Sequence, residues 1–357
     1  MVPGKSKPFI CRSVKLYRNY MSFKEVIGQQ QAVTQLAAMA RSENVPAALL
    51  LTGMEGVGKC FTAFQLAQVV NCCQAPPGDA CGVCPDCRQI ARRVHPDVLL
   101  IEAEKNQIKI DQIRELHHYL GFAPLSGRFK VIIINDAHLL NAAAANALLK
   151  TLEEPPGQII FMLVTHRQQV LLPTILSRCI SLSFKPLSHD ALRQILASRE
   201  EDIEVKSMDR AIALGGGSVS KTQYFLDENR LAWRDDFLAR ICALSAENFE
   251  DIFALADEIS KDAENVEVVH YVLGTFVRDA LILANSSDVN DLVLFHADQL
   301  ELLRKFAADR TPEELVFWLE ELNRLQSRLL FNINIKLAWE ALLMKLVALQ
   351  IKRDNVI

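Results

Sequence analysis

The sequence lacks a long apolar run, and this absence excludes helices that span a membrane. A transmembrane helix needs about 20 consecutive, mostly apolar residues, and no run in these 357 residues reaches that length. The short apolar stretch Phe9–Cys11 near the N-terminus is too brief for the core of a secretory signal peptide. We therefore expect a cytoplasmic protein with no membrane partner.

A strong excess of charge is also missing. The chain has 39 Lys and Arg residues against 43 Asp and Glu residues, which gives a formal net charge of −4. A chain that coats nucleic acid by itself usually has a basic excess, so this balance argues against such a role but allows local contacts inside a complex. Internal repeats and low-complexity segments are absent as well. Half of the residues are hydrophobic, enough for two or three domains with separate cores.

Alternating apolar runs and helical patterns indicate an α/β domain in the first half of the chain. Five short apolar runs predict buried strands, and the segments between them have helical periodicity. This alternation is typical of a mainly parallel sheet covered by helices. The predicted strands are Ala48–Thr52, Val98–Glu102, Lys130–Ile134, Ile159–Val164 and Ile180–Phe184, and the predicted helices are Gln29–Arg41, Lys59–Val70, Ile110–Leu120 and Asn141–Leu152.

The remainder of the chain has only helical patterns. Ser188–Arg199 and Ser207–Leu214 predict two helices of a small lid, and Gly215–Gly217 ends the second one. Further on, Thr311–Glu314 is a capping box with proline at the first helical position. The predicted parts are a poorly ordered extension over residues 1–20, a nucleotide-binding-like domain over 21–184, a lid over 185–228 and a helical domain over 229–357.

Cysteines in a C-x8-C-x2-C-x2-C arrangement, Cys72, Cys81, Cys84 and Cys87, predict a zinc site. C-x2-C spacing lets a tight turn direct two thiolates at one ion, and structural Zn²⁺ takes four such ligands. Cys73 is an alternative to Cys72 as the fourth ligand. Disulfides are disfavoured because no secretory signal precedes these residues. Since protein ligands fill all four positions, we expect the zinc to be structural.

A phosphate-loop motif lies between a predicted strand and a predicted helix, the context that this motif requires. Backbone N–H groups around Gly53, Gly56 and Gly58 would surround a phosphate, and Lys59 would add positive charge. The motif normally ends in Ser or Thr, whose hydroxyl binds Mg²⁺, but here it ends in Cys60, and a thiol is a poor ligand for that ion. Two alternatives stay open: weak ATP binding, or a vestigial loop that binds nothing.

The residues after the third predicted strand also differ from those of a working ATPase. Such a site has an Asp for the metal and then a Glu that polarises water, whereas this chain has Asn135-Asp136-Ala137. If Asn135 occupies the metal position, the negative charge is lost. If Asp136 occupies it, Ala137 replaces the base. Thr165 ends the next strand, where it would reach a γ-phosphate or serve as a turn residue. We expect Asn135, Asp136 and Thr165 to line a site that does not hydrolyse ATP efficiently.

Arg178 lies on a predicted loop beside the sheet, between Ser177 and Cys179. A loop arginine next to a nucleotide-binding sheet is a candidate arginine finger, which offers a fixed positive charge to phosphates. The alternative is a surface arginine in a salt bridge, and spacing alone favours this alternative.

Several motifs together resemble the subunits of bacterial DNA polymerase III clamp loaders. The resemblance is dense from about Met21 to Phe184 and weaker beyond. The motifs are F-K-E-V-I-G-Q at Phe23–Gln29, the phosphate loop, the cysteine run, A-N-A-L-L-K-T-L-E-E-P-P at Ala145–Pro156 and S-R-C at Ser177–Cys179. The resemblance implies an AAA+ P-loop module with a zinc-binding insertion, a small helical lid and an all-α collar domain. It also implies that Lys59 is the phosphate lysine and that Arg178 enters a neighbouring subunit's ATP site.

Two kinds of subunit share these motifs, the gamma/tau motor and the delta-prime subunit. The motor type requires Ser or Thr at the end of the phosphate loop, an Asp-Glu pair and a lid arginine. This chain has Cys60, Asn135-Asp136 and, in the lid, Ser220, with Lys221 one place late. These departures, and the lack of a tau-type extension, favour a delta-prime-like subunit without intrinsic ATPase. The alternative is an ATP-hydrolysing gamma/tau-like motor.

The resemblance also implies partners. We expect gamma/tau-type and delta-type subunits in a hetero-pentamer that acts with the DNA polymerase III holoenzyme, a DNA-directed DNA polymerase. Through this complex the chain would act on the sliding clamp and on primer-template DNA.

Overall fold

The computed structural model describes residues 22–198, 204–245, 248–261, 263–286, 293–329 and 333–354. The extension predicted over residues 1–20 lies outside the described residues. The described chain divides into two compact units. We call them the sheet unit, which holds residues 22–198 and Gly217–Ser220, and the helical unit, which holds residues 204–216 and the chain from Lys221 onward.

The sheet unit is built on a five-stranded sheet in which every pairing is parallel. The strand order is β2-β3-β4-β1-β5, with the phosphate loop directly after β1. This order is that of the AAA+ P-loop fold, so the predicted fold class is confirmed. All five strands lie within one residue of their predicted bounds. They are β1 Ala48–Gly53, β2 Val98–Ile101, β3 Lys130–Ile134, β4 Ile159–Thr165 and β5 Ile180–Phe184.

Helices cover both faces of the sheet, which explains why β1, β3 and β4 are mostly apolar rather than alternating. The prediction that Ile180–Phe184 is a buried strand is wrong, because β5 is an edge strand in which Ile180, Ser181 and Ser183 are exposed. In β1, Leu49 and Leu51 pack into the hydrophobic core that α1, α2 and α3 cover, whereas Leu50 packs into the core that α4, α5 and α6 cover. The helices of this unit are α1 Gln30–Arg41, α2 Lys59–Asn71, α3 Pro85–Ala91, α4 Ile110–Leu120, α5 Ala142–Glu153, α6 Pro173–Leu176 and α7 His189–Ala197.

The helical unit has one hydrophobic core, in which Trp339 and Phe276 are fully buried. The predicted capping box is confirmed, because Glu314 N–H donates to Thr311 Oγ1 at 3.3 Å and Thr311 N–H donates to Glu314 Oε2 at 2.8 Å. The remaining helices are α8 Val205–Gly215, α9 Val219–Phe225, α10 Glu228–Ala243, α11 Phe249–Ser260, α12 Ala263–Asn285, α13 Leu300–Ala308, α14 Pro312–Leu329 and α15 Ile335–Asp354.

Among the residues that the structure describes, no helix combines the length and the apolar character needed to cross a bilayer.

A buried carboxylate anchors the loop before β3. Asp97 accepts hydrogen bonds at 2.8 Å from the backbone N–H groups of Leu125, Ser126 and Gly127, and its side chain has no solvent exposure. Burial by itself would raise the pKa of this carboxyl, but the three N–H donors stabilise the carboxylate and hold the pKa below its ordinary value. The position of the loop that leads into β3 therefore depends on one ionised side chain.

We expect Asp97→Ala to lower the free energy of unfolding by about 3 kcal/mol at pH 7, because three N–H groups lose a charged acceptor. The carboxylate stabilises the fold above its unfolded pKa of about 3.9, and this contribution is lost as the pH falls through the lower folded pKa. Denaturant unfolding of wild type and variant should therefore show a difference that shrinks below pH 4. Asp111→Ala, at an exposed position, is the control, and an equal effect of both variants would contradict the assignment.

Candidate functional site

The four cysteines of the C-x8-C-x2-C-x2-C run converge between α2 and α3. Cys72 follows the last residue of α2, and Cys84 is the N-cap of α3. The sulfur atoms of all four lie within 4.8 Å of one another, and those of Cys81 and Cys87 are 4.0 Å apart. Zn–S bonds of about 2.3 Å in a tetrahedron separate the sulfurs by roughly 3.8 Å. The cluster is therefore close to the size that zinc requires.

Backbone N–H groups orient these sulfur atoms. Cys81 N–H donates to Cys72 Sγ at 3.3 Å, Cys84 N–H donates to Cys81 Sγ at 3.3 Å, and Cys87 N–H donates to Cys84 Sγ at 3.4 Å. Such donors stabilise thiolates, the form in which cysteine binds metal. Cys73 is exposed and comes close to Cys84 and Asp86 but is not one of the four converging sulfurs. The geometry thus favours Cys72 over Cys73 as the fourth ligand.

The phosphate loop has the expected backbone conformation, and its lysine forms hydrogen bonds with carbonyl groups of the same loop. Gly56 and Gly58 have φ values of 74° and 96°, which favour glycine, and Gly58 is the N-cap of α2. The Nζ of Lys59 donates to the carbonyl oxygens of Gly53 and Met54 at 2.7 and 2.6 Å. Burial lowers the pKa of Lys59 to about 8. The ammonium group of Lys59 therefore makes two hydrogen bonds within its own loop.

Gly217–Ser220, the short segment of the sheet unit that begins at the last glycine of Gly215–Gly217, lies against the phosphate loop. Val219 N–H donates to the carbonyl oxygen of Gly56 at 2.9 Å. A Cβ at Gly56 would overlap Ser218 Oγ and lie 3.0 Å from Ser220 Oγ. The hydroxyl groups of Ser218 and Ser220 therefore lie beside the phosphate loop.

Asn135, Asp136 and Thr165 lie at the carboxyl ends of β3 and β4, which are neighbours in the sheet. The side-chain amide of Asn135 donates to Asp136 Oδ2 at 3.1 Å. Thr165 is fully buried, and its Oγ1 accepts a hydrogen bond from Arg167 N–H at 3.0 Å. The Asp136 carboxylate and the Thr165 hydroxyl thus each accept a hydrogen bond from a nearby residue of the chain.

Two histidines to which the sequence analysis gave no role lie at the same edge. His166 Nδ1 is 3.7 Å from Asp136 Oδ1, and the His138 and His166 rings meet edge to face with centroids 4.3 Å apart. Burial, and then the neighbouring His166, lower the pKa of His138 to about 4, so this ring is neutral at pH 7. The only feature of the sequence that indicates a role for His138 and His166 is their position just after β3 and β4. A single histidine after a strand is weak evidence of a site.

Arg178 is exposed on the loop between α6 and β5. One guanidinium nitrogen donates to the carbonyl oxygen of Thr174 at 2.9 Å and to Ser177 Oγ at 3.3 Å, and another forms an ion pair with Glu153. A partly exposed ion pair contributes about 0–1 kcal/mol. Arg178 can therefore leave Glu153 for a stronger acceptor at little cost.

The strand order, the phosphate loop and the four-cysteine insertion define a P-loop AAA+ module with a candidate zinc site. Two family models match the chain. The model described as "DNA polymerase III, delta subunit" matches residues 28–188, and the one described as "DNA polymerase III, delta subunit, C terminal" matches residues 228–347. The chain belongs to the family of DNA polymerase III clamp-loader subunits.

Curated relatives carry the names of two subunit types. DNA polymerase III subunit tau of Escherichia coli is 33% identical over 307 residues, which are 79% of this chain and 47% of that protein. Subunit delta' of Pseudomonas aeruginosa is 37% identical over 196 residues, which are 53% of this chain and 58% of that protein. The chain thus spans about half the length of these relatives.

A structural comparison gives a weaker likeness. A gamma subunit-related protein of Thermotoga maritima has a TM-score of 0.41 and 19% identity, covering 88% of this chain and 99% of that one.

We expect purified protein to carry about one tightly bound zinc ion per chain, because four preformed thiolate ligands bind strongly. Cys84→Ser should lose this ion, and Cys72→Ser should weaken its binding, since each removes one of the four converging sulfurs. Elemental analysis after dialysis without chelators measures the content. Cys73→Ser is the matched control and should keep its zinc. Loss of zinc from Cys73→Ser but not from Cys72→Ser would reverse the ligand assignment.

Proposed function

We propose that this chain is a delta-prime-like subunit of the DNA polymerase III clamp loader that does not hydrolyse ATP itself and offers Arg178 to the ATP site of a neighbouring subunit. The observation that carries the proposal is that two sequence positions expected to handle the same Mg²⁺ ion both differ from those of a working ATPase. Cys60 stands at the magnesium position of the phosphate loop, and Asn135-Asp136-Ala137 stands where a motor has its Asp-Glu pair.

Hydrolysis would require an oxygen ligand for Mg²⁺ at position 60 and a complete pair of acidic residues after β3, and this chain has neither. Mg²⁺ prefers oxygen ligands, and the sulfur of Cys60 is a soft donor. Asn135 at the metal position would bring no negative charge, and with Asp136 there instead, the methyl group of Ala137 could not act as a base. Lys59 already donates to two loop carbonyls, so a phosphate must compete with them. These features support weak or absent nucleotide binding and no turnover at this site.

The surroundings of Arg178 support a role toward a neighbouring chain. The side chain is exposed on a loop, and the ion pair that holds it is weak enough to be exchanged. A guanidinium is planar, permanently charged and able to give two parallel hydrogen bonds to phosphate oxygens. The partners that we propose are gamma/tau-type and delta-type subunits in a hetero-pentamer. The sliding clamp and primer-template DNA would be engaged through that complex in the cytoplasm.

A gamma/tau-like motor is the second candidate. It is favoured by the tau relative of E. coli, which matches a larger share of this chain than the delta' relative of P. aeruginosa does. The two candidates differ in whether the isolated chain turns over ATP.

We expect the isolated protein to hydrolyse ATP at background level, because Cys60 and Asn135 both weaken the binding of Mg²⁺. Phosphate release measured with and without Lys59→Ala checks this, and the two proteins should be indistinguishable. Turnover that is robust in wild type and disappears in Lys59→Ala would establish the motor instead.

We expect Arg178→Ala to lower the DNA-stimulated ATPase and the clamp-loading rate of the reconstituted complex. A finger offered in trans accelerates its own site by about 10³- to 10⁵-fold in other nucleotide hydrolases, and a ring with several sites should lose a smaller share. Arg178→Lys should rescue little, since lysine lacks the planar pair of donors.

Two variants separate this role from structural effects. Arg128→Ala removes another partly exposed ion pair, with Glu43 at 3.2 Å, and should leave loading unchanged. Glu153→Gln removes only the local partner of Arg178 and should retain loading. The finger assignment fails if the Arg178→Ala complex assembles normally and loads clamps at the wild-type rate.

A further inference from the structure

We propose that Asp136, His138 and His166 form a second metal site, separate from the cysteine cluster, that takes a divalent transition-metal ion such as Zn²⁺. One ligand atom from each of the three side chains lies within 4.8 Å of the other two. They come from the ends of the adjacent strands β3 and β4, so the sheet itself brings them together. The site lies at the edge of the sheet where an ATPase of this fold would hold magnesium.

The spacing of the three side chains is close to that of a coordinated ion. Zn–N and Zn–O bonds of about 2.0–2.2 Å in a tetrahedron place ligand atoms roughly 3.4 Å apart. Asp136 Oδ1 and His166 Nδ1 are already 3.7 Å apart. The remaining separations, at most 4.8 Å, would close by no more than roughly 1.4 Å. Such a change is within the reach of small side-chain rotations.

Neighbouring polar groups already orient two of the three ligands. Asn135 donates to Asp136 Oδ2 at 3.1 Å, and Oδ1 lies toward His166. The Nδ1 of His138 is 3.3 Å from Thr165 Oγ1, which leaves the other ring nitrogen for a metal. Partners of this kind fix the tautomer and direction of metal ligands in known sites. The hydrogen bonds of Asn135 to Asp136 and of Thr165 to His138 would therefore hold two metal ligands in place.

The donor set indicates which ions would fit. Two imidazoles and one carboxylate suit zinc and similar transition metals, whereas Mg²⁺ demands an octahedron of oxygens. Three protein ligands also leave a fourth position for water or an external ligand, unlike the closed cysteine cluster. The positive charges of Arg167 and Lys59 act on His138 and oppose a cation. We therefore expect an exchangeable ion, bound more weakly than the one at the cysteines.

Titration of the full-length protein with Zn²⁺ in the absence of nucleotide tests the proposal. After dialysis that leaves the cysteine-bound ion in place, calorimetry should show one additional site in wild type. His166→Ala and His138→Ala should lose it, and Asn135→Ala should weaken it about 10- to 100-fold, the range seen for partners of metal ligands. His189→Ala, an exposed histidine at the start of α7, is the matched control and should bind as wild type does.

Co²⁺ provides a second readout that distinguishes the two sites. Thiolate-bound Co²⁺ has strong sulfur-to-metal absorption, which an imidazole and carboxylate site lacks. A variant in which Cys72, Cys81, Cys84 and Cys87 are all changed to Ser should therefore still take up Co²⁺ without these bands. The same variant with His166→Ala added should not take it up. Unchanged zinc titration in His166→Ala, no additional site in wild type, or displacement of the ion by millimolar Mg²⁺ would each overturn the assignment. Because nucleotide is absent, none of these outcomes depends on ATP hydrolysis.

Discussion

Parallel pairing of the strands is the constraint on which the rest of the sheet unit depends. It places the carboxyl ends of β1, β3 and β4 at one edge, which is where open α/β sheets usually bind their ligands. β1 delivers the phosphate loop to this edge, β3 delivers Asp136, and β4 delivers Thr165 and His166. A site at this edge of the sheet must therefore be assembled from residues that are far apart in sequence.

This constraint separates what the sequence could predict from what it could not. Strands such as Ile159–Thr165 were predictable because both faces are buried, which makes the whole strand apolar. The cysteine cluster was predictable because its ligands are close in sequence and metal geometry limits their spacing. The proximity of His138 and His166 was not, because it follows from β3 and β4 being neighbours, and strand order is not encoded in local periodicity. The Arg178–Glu153 pair and the contact of Ser218 with Gly56 depend on tertiary packing in the same way.

The phosphate loop keeps the backbone shape of its motif, although the motif ends in Cys60 rather than Ser or Thr. The left-handed glycines and the helix N-terminus preserve the backbone, but two carbonyl oxygens satisfy the Lys59 ammonium. A hydrogen bond that involves a charged group contributes about 1.5–3 kcal/mol, and every 1.4 kcal/mol is a factor of ten in affinity. To bind Lys59, a phosphate must form interactions that are more favourable than these two hydrogen bonds.

Helix α2 connects this loop to the cysteine cluster, since it begins at Lys59 and ends one residue before Cys72. Its thirteen residues separate the two sites by about 20 Å. Gln68 Nε2 donates to the carbonyl oxygen of Cys87 at 2.9 Å, which ties α2 to α3. Asn71 bonds both the carbonyl oxygen and the N–H of Phe129, at 3.1 and 2.9 Å, just before β3. The far end of α2 is therefore anchored to the sheet without the metal. Loss of zinc should consequently loosen α3 and its turns while leaving the phosphate loop in place.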